Sequence, residues 1–507
     1  MGETQGSGRC AANNLGMDGA DHRRYDRRTV LRFGLGAAAA GAMLPMSVGG
    51  LAAAAKAASP SRLRQPGAVP YPTLPVGQYT GAFPFDHLVI VMQENHSFDN
   101  YLGMLPVSGQ PKADGFTFNK ADEPLNWNPV DGERMYAYHQ AGAIGAQDSG
   151  SQSWDDSHDQ INYGAMNGFA GTGPGSMGYY TEDDLPFYYS LAKTFTLANR
   201  WFCSVPAQTY PNRRFLMAGT ASGIVSTDID NVTVNPPNGT IWDRLSAHNI
   251  SWRNYFSDAP TTAIILDTVL NHPLNIGRIE EFFVDAALGT LPSVSLVDCN
   301  MGAIQGEIPS VVGDLPYPVP TFAATPDLVI NTTCQSEENP EDVQLGEAFV
   351  ASVVNAVMSG PAWRRTLLVW MYDEHGGYYD HVAPPPAMVP DATPPDIGPS
   401  DPPGGYNLYG IRVPVVVVSP YARKHDVTNV VHDHTSILAT VEQQWNLPAL
   451  TYRDANAASL MDFLDTSRMA FAEPPALAQP ANPLPELLQG YQGQPVPPSP
   501  GATTPTD

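Results

Sequence analysis

The stretch Thr366-Leu367-Leu368-Val369-Trp370-Met371-Tyr372, followed at once by Asp373-Glu374-His375-Gly376-Gly377, decides how this chain is built. Seven uncharged residues that do not alternate apolar with polar read as a strand buried on both faces. An acidic pair stands where that strand must end, and the double glycine permits a tight turn. Residues 87–92 repeat the pattern, an apolar run followed by Gln93-Glu94-Asn95-His96, and residues 413–419 form a third apolar run. Amphipathic spacing predicts helices over residues 185–195, 343–358 and 435–445. Buried strands alternating with such helices predict a layered α/β fold with parallel strands. In that class, chemistry collects in loops at the carboxyl ends of strands.

Composition narrows the function classes. Of 507 residues, 15% are charged, against about 25% in an average chain, and 51 Asp/Glu face 26 Lys/Arg. A net charge of −25 excludes a basic nucleic-acid binder, because phosphate backbones need clustered Lys/Arg. The 49 prolines and 45 glycines argue against a coiled coil or long bundle, and 43% hydrophobic residues against a disordered chain. The first 57 residues read as targeting. Asp26-Arg27-Arg28-Thr29-Val30-Leu31-Arg32 precedes a weakly hydrophobic Ala/Gly run at 33–55 and then Ala55-Lys56-Ala57. This is the pattern of a bacterial twin-arginine export signal, with a membrane anchor as the alternative. No second segment of this kind follows, so a mature chain without a stable membrane span is expected, in the periplasm or outside the cell. Removing residues 1–57, which hold seven Lys/Arg and four Asp/Glu, leaves 19 basic against 47 acidic side chains, a net −28. Cys203, Cys299 and Cys334 remain, as a Cys299–Cys334 bridge or as buried thiols. Residues 58–80 are expected to be a Pro-rich linker, 81–470 the catalytic domain, and 471–507 a Pro-rich disordered tail. Residues 384–405 are so rich in Pro, Asp and Gly that they must form a long surface loop.

Three clusters carry the chemistry. Glu94-Asn95 and Asp373-Glu374, each ending a buried strand, bring together four oxygen-bearing side chains of the type a hard divalent cation takes. Either pair alone also serves as an N-cap or turn. Thr209-Tyr210-Pro211-Asn212-Arg213-Arg214-Phe215 opens a predicted helix at 211–218. Thr209 is then a cap, or an oxygen nucleophile facing backbone N–H groups that can cradle a phosphate. Arg213 or Arg214 is available to a phosphate oxygen or to a carboxylate. The spacing Thr209-x-Pro211-x-Arg213 is that of the sulfatase signature, but threonine cannot become formylglycine, which points to phosphoryl chemistry. Histidines make the third group: His158 in Ser153-Trp154-Asp155-Asp156-Ser157-His158, His375 and His381 around the double glycine, and His432 and His434 before the helix at 435. They are candidates for charge stabilisation around a phosphate. The aromatic-rich stretch 154–189 offers either a choline cage or ordinary packing. Gly219-Thr220-Ala221-Ser222-Gly223 misplaces serine for a nucleophile elbow, and no GxxxxGK[ST], HExxH or CxxC is present.

Taken in order, Gln93 through Tyr101, Thr209-x-Pro211-Asn212-Arg213, Tyr372 through Val382 and Asp433-His434-Thr435-Ser436 resemble the bacterial phosphoesterase family of non-haemolytic-type phospholipases C and the related acid phosphatase. The resemblance spans about residues 84–465. It implies an alkaline-phosphatase-like α/β/α sandwich with a large central, mostly parallel sheet. It also implies one divalent metal held by Glu94, Asn95, Asp373 and Glu374, and Thr209 as nucleophile. His158 and His434 would stabilise phosphate or move protons, with Arg213, His375 and His381 binding substrate. Oxygen ligands point to Ca, Mg, Mn or Fe more than Zn. Where relatives read Ser-x-His-Pro, this chain has Ser336-Glu337-Glu338-Asn339-Pro340 and no histidine, and only a Pro-rich tail follows the domain. The expected function is an exported, metal-dependent phosphoesterase of the phospholipase C type, whose partners are a phosphate-ester substrate and the twin-arginine export machinery. A phosphomonoesterase and a secreted binding protein on a decayed scaffold are the alternatives.

Overall fold

In the computed structural model, residues 63–482 are described, apart from Gln147 and residues 302–334. The export segment, the tail from 483 onward and Cys334 lie outside the described residues; Cys203 and Cys299 are buried free thiols. Eight strands make one sheet: β1 (His87–Gln93), β2 (Thr196–Ala198), β3 (Trp252–Phe256), β4 (Ile276–Arg278), β5 (Val294–Asp298), β6 (Thr366–Tyr372), β7 (Val415–Val418) and β8 (Asp426–Thr428). Their spatial order is β8-β2-β7-β6-β1-β5-β3-β4. Every residue of β6 is buried. Successive side chains of a strand point to opposite faces, so both faces must be covered. One helical layer contains Pro186–Thr194, Ile279–Leu288 and Val343–Ser359; the other contains Thr209–Ala218, Ile241–Ala247 and Thr435–Trp445. The result is a mixed α/β sandwich with a large, mostly parallel central sheet. No helix of the described residues is long and apolar enough to cross a membrane.

Two expectations change. First, β7 runs antiparallel to both β6 and β2. A parallel neighbour needs a crossover that carries the chain back to the start of the sheet. Residues 373–414 contain no helix, so the chain stays at the carboxyl end of β6 and enters β7 from there. Second, the described part of the expected linker is tied down. Arg64 N–H donates to Asn456 Oδ1 (3.0 Å) and Thr80 Oγ1 to the Gln443 carbonyl (2.8 Å). Asn446, left-handed at the end of helix Thr435–Trp445, donates its side-chain amide to the carbonyls of Tyr71, Leu74 and Pro75. A proline-punctuated segment has few N–H donors, so its carbonyls must find donors elsewhere. Past residue 470, Phe471 is buried and Ala481 N–H reaches Glu347 Oε2 (3.2 Å).

The helix-free connection is pinned by a buried ion network. Arg412 donates to both oxygens of Asp380 (2.9 and 3.0 Å) and to Asp99 Oδ1 (3.2 Å), while His381 Nδ1 lies 2.6 Å from Asp99 Oδ2. Burial lowers the His381 pKa, but Asp99 and Asp114 outweigh it and push it up to about 10. Asp99, Asp380 and His381 stand as close together as metal ligands do. Here the guanidinium and the imidazolium already balance the two carboxylates, so the cluster is a structural clamp. His381, expected to bind substrate, belongs to this clamp.

Leu368 is fully buried in β6. Leu368→Ala should cost about 2–5 kcal/mol through lost burial and the cavity left behind, read from the denaturant midpoint. The raised pKa of His381 makes its stabilisation complete below its unfolded value of 6.5 and progressively lost as pH rises towards 10. Wild-type stability should therefore fall across that window, and His381→Gln should remove this part of the slope in denaturation series at several pH values.

Candidate active site

The site is generated by strand register. β1 and β6 pair in parallel with Gln93 opposite Tyr372, so Glu94 and Asp373 leave the sheet side by side at its carboxyl edge. Asn95 turns the chain with φ +70°, a conformation asparagine tolerates, and its N–H donates to Asp373 Oδ1 (3.1 Å). Gly376 (φ +63°) lies so close beneath that a Cβ there would sit 2.0 Å from the Asn95 carbonyl oxygen. The double glycine thus lets two loops touch. Asp258, two residues past the end of β3, approaches the same edge; its Oδ1 accepts from Ala259 N–H (2.9 Å) and Met301 N–H (3.1 Å). It obeys the strand-end rule used for the other acidic pairs, and that rule, extended to β3, would have found it.

The third cluster arrives on helix Thr209–Ala218, which starts two residues earlier than its sequence pattern predicts. Gln208 before it makes no capping hydrogen bond, but Tyr210 N–H donates to Thr227 Oγ1 (3.4 Å) and Pro211 has no N–H, so Thr209 carries the N–H of the first turn that an anion can meet. Thr209 is buried, and its Oγ1 lies 3.5 Å from Glu94 Oε1; Ser336 Oγ holds the other oxygen, Oε2, at 3.3 Å. One turn along, Arg213 is 1% exposed. Its three nitrogens donate to Asp373 Oδ2 (3.0 Å), the Gln93 carbonyl (3.3 Å) and Thr261 Oγ1 (3.1 Å). Expected to bind substrate, Arg213 is instead the buried counter-ion that ties Asp373 to the end of β1. Arg214 is spent on the carbonyls of Ile264 and Val234.

The histidines divide by what their nitrogens already hold. His434 lies 2.6 Å through Nε2 from the Asp373 carbonyl and accepts at Nδ1 from Trp201 Nε1 (3.3 Å). With both nitrogens engaged and its pKa lowered by burial, it orients the Asp373 backbone and is not free to transfer protons. His375, also expected at the substrate, is buried and held down to about 3 by burial; Nε2 meets Gln160 Oε1 (2.7 Å) and Nδ1 lies 3.2 Å from Glu374 Oε2. His158 is different. Its Nδ1 is tied to the Trp154 carbonyl (2.7 Å), while Nε2 faces the Gly404 backbone of the long loop, and burial lowers its pKa. No hydrogen bond joins it to Thr209 or to the acidic cluster among the described residues. Most of the aromatic stretch is core: Phe169, Tyr180, Phe187, Tyr188 and Tyr189 are fully buried.

Glu94, Asp373 and Glu374 are three buried carboxylates facing one guanidinium. Burial pushes Glu94 up to about 7, with Arg213 opposing and Asp373 adding to the rise. Burial, then Asp373, raises Glu374 well above the usual carboxylate range. Two buried oxygens, Asn95 Oδ1 and Glu374 Oε1, have no hydrogen-bond partner among the described residues. Unpaired buried acceptors are costly, and an excess of carboxylate oxygen with unfilled lone pairs fits a hard divalent cation.

Residues 85–448 match the model of the phosphoesterase family. Non-specific phospholipase C1 of Arabidopsis thaliana is 31% identical over 403 residues, covering 74% of this chain and 70% of its own. Phospholipase C B of Mycobacterium tuberculosis is 28% identical over 471 residues, covering 80% and 82%. Among solved structures, a protein in the alkaline phosphatase superfamily from Vibrio parahaemolyticus is 12% identical with a TM-score of 0.32, covering 69% of this chain and 77% of that one. The chain belongs to the phosphoesterase family and is a hydrolase acting on phosphate ester bonds.

Proposed function

We propose that this hydrolase is an exported, phospholipase C-like phosphodiesterase in which Glu94, Asn95, Asp373 and Glu374 hold one divalent cation and Thr209 is the nucleophile. The observation that carries this reading is the convergence of those four residues, two of them with buried oxygens that have no partner among the described residues, on the helix start at Thr209, whose Oγ1 lies 3.5 Å from Glu94 Oε1. The names of the two phospholipase C relatives support a diester substrate with an esterified head group. The twin-arginine segment supports export.

A bound divalent cation supplies charge neutralisation at a phosphate oxygen and lowers the pKa of a nearby hydroxyl. The protein does the rest. The Thr209 N–H at the start of helix Thr209–Ala218 orients the phosphate, since Tyr210 N–H is held by Thr227 Oγ1 and Pro211 has none, and Glu94 Oε1 is the nearest acceptor for the Thr209 proton. The Thr209 Oγ1–P bond forms as the bond from phosphorus to the leaving alcohol breaks, giving a phosphothreonine. His158, with Nδ1–H held by the Trp154 carbonyl, acts as the imidazolium and gives its Nε2 proton to the departing alkoxide. Water then attacks phosphorus and passes a proton to His158 Nε2, the Thr209 Oγ1–P bond breaks as Glu94 returns its proton to Oγ1, and phosphate is released as a monoester of the head group. Gln160 links the two flanks, because its Oε1 meets His375 and it lies on the same helix as His158.

Thr209→Ala should fold normally, by thermal melting, and lose nearly all turnover of p-nitrophenylphosphorylcholine; wild-type turnover in that variant would sink the nucleophile assignment. Chelation should abolish hydrolysis by the wild-type protein, and added divalent metal should restore it. Glu374→Gln should need far more metal to reach the same rate. Comparison with p-nitrophenyl phosphate decides the ester class: faster turnover of the monoester would make the protein a phosphatase, and turnover of neither ester with metal bound would make it a binding protein.

A further inference from the structure

Beside the acidic cluster lies a second buried carboxyl group with an unusual set of partners. Glu337 is fully buried, and among the described residues no lysine or arginine pairs with it. Its Oε1 accepts from Tyr188 OH (2.5 Å) and Gln93 Nε2 (3.2 Å); its Oε2 accepts from Tyr101 OH (2.6 Å) and from Tyr372 OH. Its backbone carbonyl lies 2.7 Å from His96 Nε2, and that ring is stacked between Tyr101 and Tyr378. Room for the carboxylate exists only because residue 346 is glycine: a Cβ there would lie 2.2 Å from Oε1.

The partners are placed tellingly. Gln93 immediately precedes Glu94, Tyr372 immediately precedes Asp373, and Ser336, which holds Glu94 Oε2, immediately precedes Glu337 itself. One buried carboxyl group therefore grips the residue before each of two proposed metal ligands, and its own chain neighbour holds Glu94 Oε2. Four neutral donors saturate it, so it needs no cation and competes with none. A hydrophobic residue of similar size would fill the space but would take this acceptor from three phenols.

We propose that Glu337 is a positioning residue that sets the spacing of Glu94 and Asp373, and through them the affinity of the site for a divalent cation. This rests on the metal reading given above. Outer partners of metal ligands typically change affinity or activity about 10–100-fold when removed.

The test uses the full chain and Mn²⁺ as the probe, with binding followed by titration calorimetry, thermal melting recorded in parallel, and kcat and KM measured on p-nitrophenylphosphorylcholine. Glu337→Gln and Tyr372→Phe should each weaken Mn²⁺ binding about tenfold or more and lower kcat with little change in KM. Gly346→Ala, which displaces the carboxylate without removing any donor, should do the same if Glu337→Gln fails to fold. Tyr189→Phe is the control. It removes a buried phenol on the helix that carries Tyr188, but its hydroxyl bonds to the Tyr180 carbonyl and not to Glu337. It should lower the melting temperature comparably while leaving Mn²⁺ affinity within about twofold. The proposal is overturned if Glu337→Gln and Tyr372→Phe melt earlier yet keep wild-type affinity and kcat, or if Tyr189→Phe weakens binding as much as they do. If wild-type protein takes up no Mn²⁺, the metal reading fails instead, and the kcat comparison alone decides whether Glu337 positions the site.

Discussion

Like charges held side by side are the constraint on which the rest of the structure depends. Parallel pairing of β1 with β6 delivers Glu94 and Asp373 to the same point, and Glu374 follows directly. Left alone in a dry interior, three carboxylates would repel one another and take up protons. The protein answers with Arg213 against Asp373, Ser336 against Glu94 and the Gly376 N–H against Glu374. That keeps the geometry but leaves Asn95 Oδ1 and Glu374 Oε1 without partners among the described residues.

The second acidic group shows the contrast. Asp99 and Asp380 are as buried as Asp373, yet Arg412 and a protonated His381 neutralise them completely. One cluster is closed by the protein's own cations and fastens a long loop; the other is left open at the sheet edge. Sequence distance does not separate them, since Asp380 and His381 are only six and seven residues beyond Glu374. What separates them is the number of cations from elsewhere in the chain: Arg412 and His381 meet two carboxylates in one, while Arg213 alone meets three in the other.

The same distinction explains which candidate residues were legible. The acidic pairs and Thr209 could be read because they follow buried strands or open a helix, and local pattern fixes those positions. Helix Thr435–Trp445 and β6 have the bounds their patterns predict. The histidines and Arg213 could not be assigned, because a histidine's task depends on what its two nitrogens meet, and those partners are remote: Trp201 for His434, Gln160 for His375, Asp99 for His381. Asp258 lies two residues past a strand whose apolar pattern is interrupted by Arg253 and Asn254, so local pattern does not mark it. Glu337 carried no local signal, since a glutamate beside another glutamate reads as surface.

What the sequence determined by itself was the inventory: two acidic pairs at strand ends, a threonine at a helix start, and an α/β alternation that puts such ends on one edge. Side-chain periodicity and chain stiffness act over a few residues, and a sequence displays them directly. Tertiary structure alone decided the antiparallel course of β7, the tying down of the expected linker, and the division of buried charges into a satisfied clamp and an open site. Those outcomes depend on which donor reaches which acceptor across hundreds of residues, and such pairings exist only once the chain has packed.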